Sequence, residues 1–254
     1  MRYKGKDKGD IRMRVEVKLA AKEIQKIPIN YNYFLSGVIY RKIGIGDEDL
    51  ASELHKSRSF KFFTFSRILA EERRIEGDTM LIKNGRFLLS SPREEIVKAF
   101  IEGILSEPAV KVASARFEVM SVEVKEKPAL SSPQAFKTLS PIVVRTVREQ
   151  FGKMRTWELY PKDGDFYTHL KANLLKKYEA FYGKEAEDLF EIVKIYAVKP
   201  VRIDLKGIKH RASLMHFCVE ASRELLNFAY DAGLGEKNAM GFGMIETAPH
   251  AANK

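Results

Sequence analysis

The segment Gly233-Leu234-Gly235-Glu236-Lys237-Asn238-Ala239-Met240-Gly241-Phe242-Gly243 holds four glycines in two Gly-hydrophobic-Gly pairs. A five-residue centre with Lys237 and Asn238 separates the pairs. Glycine tolerates positive φ and lets another backbone or a ligand come close. A lysine and backbone N–H groups among such glycines suit phosphate oxygens. A second reading has Gly233 capping a helix and Gly241 and Gly243 forming bulges in a last strand. Both readings stay open. The pattern is neither G-x-G-x-x-G after a first strand nor G-x-x-x-x-G-K-[ST], so no nucleotide-cofactor motif is matched.

Five histidines occur in the chain, and His55 alone falls in the first half. It reads either as a favourable charge at a helix C-terminus or as an acid/base group. Tyr40 lies opposite the apolar stripe of its expected helix, beside Gly37, and is expected to be unnecessary to the core. Lys61 interrupts an aromatic run and shares strand parity with Phe63 and Phe65. It either snorkels at a sheet edge or points at an anion. His169, His210, His216 and His250 read as packing or surface residues. Arg202, Lys206, Lys209 and Arg211 form a basic hairpin, read as a solvated edge or as an RNA-phosphate contact. Trp157, near Arg155 and Tyr160, is suited to stacking a base or to closing a hydrophobic lid.

The elements that must hold these residues follow from periodicity. Residues 12–19 alternate strictly, with Met13, Val15, Val17 and Leu19 on one face, and predict a half-buried strand. A helix is expected near 31–43, capped by Asn30 or Asn32, with Phe34, Leu35, Val38 and Ile39 inward and Tyr33, Ser36, Gly37 and Tyr40 outward. A short helix follows at 47–56, with Leu50, Ala51 and Leu54 inward, then an aromatic strand at 59–66. Asn84-Gly85 signals a hairpin between 81–83 and 87–90. A helix at 93–105 precedes a long strand, 109–126, with a bulge at Met120-Ser121.

The second half repeats this grammar. A strand is expected at 135–147, a helix at 164–182, and strands at 189–198, 201–205 and 208–218. A helix at 219–232 and a last strand at 240–246 complete it. The fold class is therefore α+β, with two tandem ferredoxin-like (RRM-like, βαββαβ) folds. The expected organisation is a flexible basic arm at 1–12, an N-terminal domain at 13–126, and a linker at 127–133. A C-terminal domain at 134–247 contains the loop at 233–243, and a tail runs from 248 to 254. Met13 is a second candidate start.

With 254 residues, 45% hydrophobic and 31% charged, the chain can bury a substantial core. No apolar run reaches membrane-span length, and MRYKGKDKGD has no apolar signal region, so a cytoplasmic protein is expected. One cysteine, Cys218, excludes an internal disulfide framework and a Cys-rich zinc site. A net charge of +10 favours a polyanion partner, nucleic acid before membrane. Scarce glutamine beside abundant Lys and Glu leans thermophilic.

The glycine segment resembles the G-h-G-x5-G-h-G loop of CRISPR-associated endoribonucleases of the Cas-six family, archaeal type, within the RAMP superfamily. NYNYFLSGVIY, SFKFFTFSR and TLSPIVVRTV carry the same resemblance, which covers Met13 to Glu246. It implies two ferredoxin-like folds, binding of CRISPR repeat RNA, and metal-independent cleavage within each repeat. No cofactor is implied. CRISPR effector-complex subunits are a second class of partner. Family members of this type use a Tyr, a His and a Lys, whose matching positions are Tyr40, His55 and Lys61. The resemblance also places Gly233, Gly235, Lys237, Asn238, Gly241 and Gly243 against RNA, with Arg202, Lys209 and Arg211 as further contacts from the charge reading.

Such chemistry uses the RNA 2′-OH as nucleophile, an acid/base pair from Tyr40 and His55 in either assignment, and Lys61 to offset phosphorane charge. The products carry a 2′,3′-cyclic phosphate and a 5′-OH. One alternative is a non-catalytic RAMP-type RNA-binding subunit of an effector complex, which has no need of Tyr40, His55 and Lys61 together. Another is a general RNA-binding module with paired RRM-like folds. Against it, neither half carries the K/R-G-F/Y-G/A-F-V-x-F/Y string.

Overall fold

A strictly alternating strand opens the described chain. In the computed structural model, which describes residues 13–57, 59–186 and 189–249, β1 spans Met13–Pro28, and Val15, Val17 and Leu19 are buried. The expected arm and His250 lie outside the described residues. Then follow α1 (Asn32–Gly46), α2 (Glu48–Lys56), the short strands β2 (Thr64–Phe65), β3 (Leu69–Ala70) and β4 (Arg74–Glu76), and the long β5 (Thr79–Ser91). After α3 (Glu94–Ser106) come β6 (Ala109–Val112) and β7 (Ala115–Lys125). The antiparallel sheet has the order β2-β5-β1-β7-β6, with β3 and β4 also paired to β5. That is a βαββαβ unit with an added hairpin strand. Met120 is extra between the pairs Lys18–Ser121 and Leu19–Val119, which is the expected bulge.

The second half contains β8 (Gln134–Thr138), β9 (Val144–Gln150), β10 (Lys153–Leu159) and α4 (Phe166–Tyr182). Next are β11 (Phe190–Leu205), β12 (Ile208–Ala221), α5 (Arg223–Ala232) and β13 (Ile245–Thr247). The order β11-β12-β8-β13 again follows the ferredoxin-like arrangement, with α4 and α5 as the crossover helices. Among the described residues, 13–127 and 239–241 form one compact unit, and 128–238 and 242–249 form the other. No helix among the described residues is long and apolar enough to cross a membrane.

Several expectations are corrected. Asn84-Gly85 is not a hairpin turn. β5 runs straight through it, and the turn falls at Gly77, with φ of 56°, between β4 and β5. Gly85 instead lies where residues 68–70 pass close by, and a Cβ there would sit 3.1 Å from the Leu69 carbonyl oxygen, a tight contact. The expected strand 59–66 is regular only at Thr64–Phe65, because Phe62 turns the chain at φ of 55°. The run 109–126 is a β6–β7 hairpin turning at Ala113. The expected strand 135–147 breaks after Thr138, and β9 pairs with β10 around Phe151-Gly152. Pro200 does not end a strand. It lies inside β11, at the sheet edge, where no ladder hydrogen bond is lost. The last strand begins at Ile245 rather than 240.

Candidate active site and RNA-contact loop

Helix α1 presents Tyr40, and its position depends on two close approaches. A Cβ on Gly103 of α3 would fall 1.8 Å from the Lys42 carbonyl oxygen of α1, and one on Gly46 would fall 2.0 Å from that of Ala99. Glycine at both positions lets α1 and α3 meet backbone to backbone. The inward face of α1 agrees with the expected one at three of four positions. Leu35, Val38 and Ile39 are buried, but Phe34 is 42% exposed and Ser36 is buried. Asn32 is inside the helix and not a cap. Its amide donates to the Met240 and Gly241 carbonyls at 3.3 and 3.0 Å, and Ser36 Oγ donates to that of Ala239 at 2.8 Å. Polar residues on the inward face thus fasten α1 to the glycine-rich segment.

A single residue joins α1 to α2. Asp47 donates its N–H to the Ile43 carbonyl at 2.7 Å and accepts from the Leu50 N–H through its side chain at 2.8 Å. The chain therefore turns back at once, and α2 carries His55 in its last turn. The Tyr40 and His55 rings come together with centroids 4.5 Å apart and planes tilted by 31°. Phe63 meets Tyr40 edge-on at 5.5 Å. Tyr40 packs against the core, contrary to the expectation that the core has no use for it. Burial raises its phenol pKa to about 12.

Lys61 does not lie on a strand with Phe63 and Phe65. Its ammonium donates to the carbonyls of Leu54 and Ser57 at the C-terminal end of α2, acceptors that a helix end leaves open. Burial lowers its pKa, opposed by the Glu53 carboxylate. Glu53 is itself clamped by Arg93, at 2.7 and 3.2 Å. Tyr40, His55 and Lys61 are thus gathered around one helix terminus, and His55 is exposed. Among the described residues, no group of three His, Cys, Asp or Glu side chains could hold a metal ion.

The glycine-rich loop folds into a closed ring. Gly233 caps α5 with φ of 80°, and Gly235, Gly241 and Gly243 also have positive φ. A Cβ on Gly243 would lie 1.8 Å from the Leu234 carbonyl oxygen, and one on Gly241 would lie 2.5 Å from the Phe65 ring. Gly233 thus caps the helix as the second sequence reading has it, but Gly241 and Gly243 precede β13 and form no strand bulge; they serve close packing. Asn238 is turned inward, its amide donating to the carbonyls of Leu234 and Phe242 at 3.1 and 3.0 Å. Lys237 sits at φ of 58°, half-buried, with its pKa lowered by burial and then by the Arg145 charge.

Arg202 and Lys209 are exposed on the β11–β12 hairpin, and Arg211 pairs across the ladder with Arg202. The Arg211 guanidinium lies 4.3 Å from the Tyr160 ring centre and 5.3 Å from that of Trp157. Glu158 links this hairpin to the loop. It accepts from the Arg211 N–H, bonds His210 Nδ1, both at 2.6 Å, and its charge acts on Lys237. Sequence reasoning missed Glu158 and also Lys177, which is buried beneath the loop. Lys177 was legible as a cation in phase with Leu170, Leu174 and Tyr178 on the apolar stripe of α4.

Comparison with known proteins decides the family. The profile "CRISPR-associated protein Cas6, N-terminal" matches residues 26–123, and "CRISPR associated protein Cas6, C-terminal" matches residues 124–247. The chain is 36% identical to CRISPR-associated endoribonuclease Cas6 1 of Methanocaldococcus jannaschii, over 92% of each chain. The chain belongs to the Cas6 family. CRISPR-associated endoribonuclease Cas6 of Pyrococcus furiosus, another Cas6 relative, is 34% identical over 90% of this chain and 86% of its own. A solved structure described as "An RAMP protein binding different RNA substrates" superposes with a TM-score of 0.84 at 34% identity, covering 93% of this chain and 100% of that one. The tandem ferredoxin-like fold expected from the sequence agrees with these Cas6 neighbours.

Proposed function

We propose that this chain is an endoribonuclease that cuts CRISPR precursor RNA within its repeats by metal-independent acid/base catalysis, yielding guide RNAs. The stacking of Tyr40 on His55, with Lys61 fastened to the same helix end, carries this reading. Membership of a family whose relatives are named endoribonucleases supports it. The upstream 2′-OH loses its proton to a base as its oxygen bonds to phosphorus. The bond from phosphorus to the 5′-oxygen breaks, and an acid protonates that oxygen. The products carry a 2′,3′-cyclic phosphate and a 5′-OH.

A phenol holds its proton at neutral pH, and burial disfavours the Tyr40 phenolate further, so we assign Tyr40 as the acid. His55 then takes the 2′-OH proton, a task suited to imidazole near neutral pH. Lys61 offsets charge developing on the phosphorane. Lys237, Arg202, Lys209 and Arg211 hold the RNA backbone.

Incubating the protein with labelled repeat RNA in EDTA tests this. Cleavage to the cyclic phosphate is expected. A 2′-deoxy nucleotide just upstream of the cut should abolish cleavage and leave binding intact. Binding without any cleavage would move the protein to the non-catalytic RNA-binding class.

A further inference from the structure

The glycine-rich loop is held from below by one buried cation. Lys177 of α4 is 1% exposed, and its Nζ donates to the carbonyls of Gly233 and Gly235 at 2.5 and 3.1 Å and to Asn238 Oδ1 at 3.1 Å. An ammonium has three donors, and three loop oxygens meet it. The Asn238 amide passes the constraint on, bonding the carbonyls of the hydrophobic residue in each Gly-hydrophobic-Gly pair. The Leu234 N–H closes the ring on the Gly243 carbonyl at 2.8 Å. Lys237 stands between these fixed points.

We propose that Lys177 is the positioning residue of the RNA-contacting loop, its ammonium bonding Gly233, Gly235 and Asn238 so that Lys237 is presented to an RNA phosphate. Burying a lysine is unfavourable unless its donors are matched, and here the matching acceptors all belong to the loop. Burial lowers the Lys177 pKa to about 7, opposed by the Glu236 carboxylate of the same loop. The three loop oxygens that accept from it and the Glu236 charge offset part of that burial cost.

This inference rests on the proposed RNA binding and is tested with labelled repeat RNA. Lys177→Met keeps the aliphatic stem and removes all three donors. Its Kd should rise about tenfold, the scale of lost charge-assisted hydrogen bonds. The slope of log affinity against log salt should flatten by about 0.7, the share of one phosphate contact on a single strand. The single-turnover rate at saturating protein should stay within about twofold. In a Lys237→Ala background, Lys177→Met should add less than about twofold, since coupled residues are not additive.

Asn238→Leu breaks the same ring and should reproduce the weaker affinity and the flatter salt slope if Lys177→Met does not fold. Unchanged affinity and salt slope in the folded variants would overturn the proposal. So would failure of both variants to fold, because a residue that positions a loop must leave the rest of the domain standing. A wild-type protein that binds no repeat RNA would instead refute the proposed function itself.

Discussion

At the scale of single residues, the proposed mechanism divides roles that residue types left open, with the buried phenol of Tyr40 as the acid and His55 as the base. His55→Ala should reduce the single-turnover rate by roughly 10²–10⁴ with binding little changed. Tyr40→Phe should fall by a similar factor. A substrate with sulfur in place of the 5′-bridging oxygen needs no acid. That substrate should bring Tyr40→Phe to within about tenfold of the wild-type rate and leave His55→Ala slow. The reverse pattern of rescue would exchange the two roles. Lys177 provides a pH prediction. Its folded pKa, about 7, is depressed from the ordinary 10.5, so between these values the unfolded chain holds a proton that the folded chain lacks. Stability then rises with pH across that window. Thermal melts from pH 7 to 9 should show wild type gaining on Lys177→Met, and a constant difference would contradict the assignment.

At the scale of elements, the site depends on how closely helices approach. α1 presents Tyr40, α2 presents His55, and the one-residue joint at Asp47 orients them. Gly46 and Gly103 set the depth of α1 against α3. Gly103→Ala should destabilise the protein by about 1–3 kcal/mol through overpacking, measurable by denaturant unfolding. Cleavage should weaken even where the variant remains folded, because Tyr40 moves with α1. Elements were most legible where periodicity was long. α3, α4 and the Met120 bulge follow their apolar patterns. Elements set by partners were not. Gly85 resembled a turn because its sequence neighbour is Asn84, yet it serves the close passage of residues 68–70. Pro200 resembled a strand end, yet an edge strand tolerates it.

At the scale of the whole molecule, charge sets the terms of the proposed RNA binding. With a net charge of +10, an RNA bound by this chain would release counterions. Raising salt from about 50 to about 200 mM should weaken binding by roughly 10³ if six or more phosphates are engaged. Filter-binding titrations across that range would show it, and a flat response would remove the polyanion reading. Lys237→Ala should lower the salt slope without lowering thermal stability. Gly241 and Gly243 are different, since a side chain at either strikes packed atoms and should unfold the loop.

The chain's own order of residues determined the fold class and the basic composition, and its resemblance to the Cas-six family singled out Tyr40, His55 and Lys61 as candidates. These depend on local periodicity, composition and a recognisable spacing of motifs. Tertiary structure alone decided which atoms meet. It turned Lys61 away from its expected strand face onto the carbonyls of α2, with the left-handed backbone of Phe62 interrupting the strand. It turned Asn238 inward to bond Leu234 and Phe242, and placed Lys177 beneath it. Such contacts join residues as far apart as Asn32 and Gly241, 209 positions from each other. A local pattern carries no record of them, since burial and hydrogen-bond partners arise only when distant segments pack.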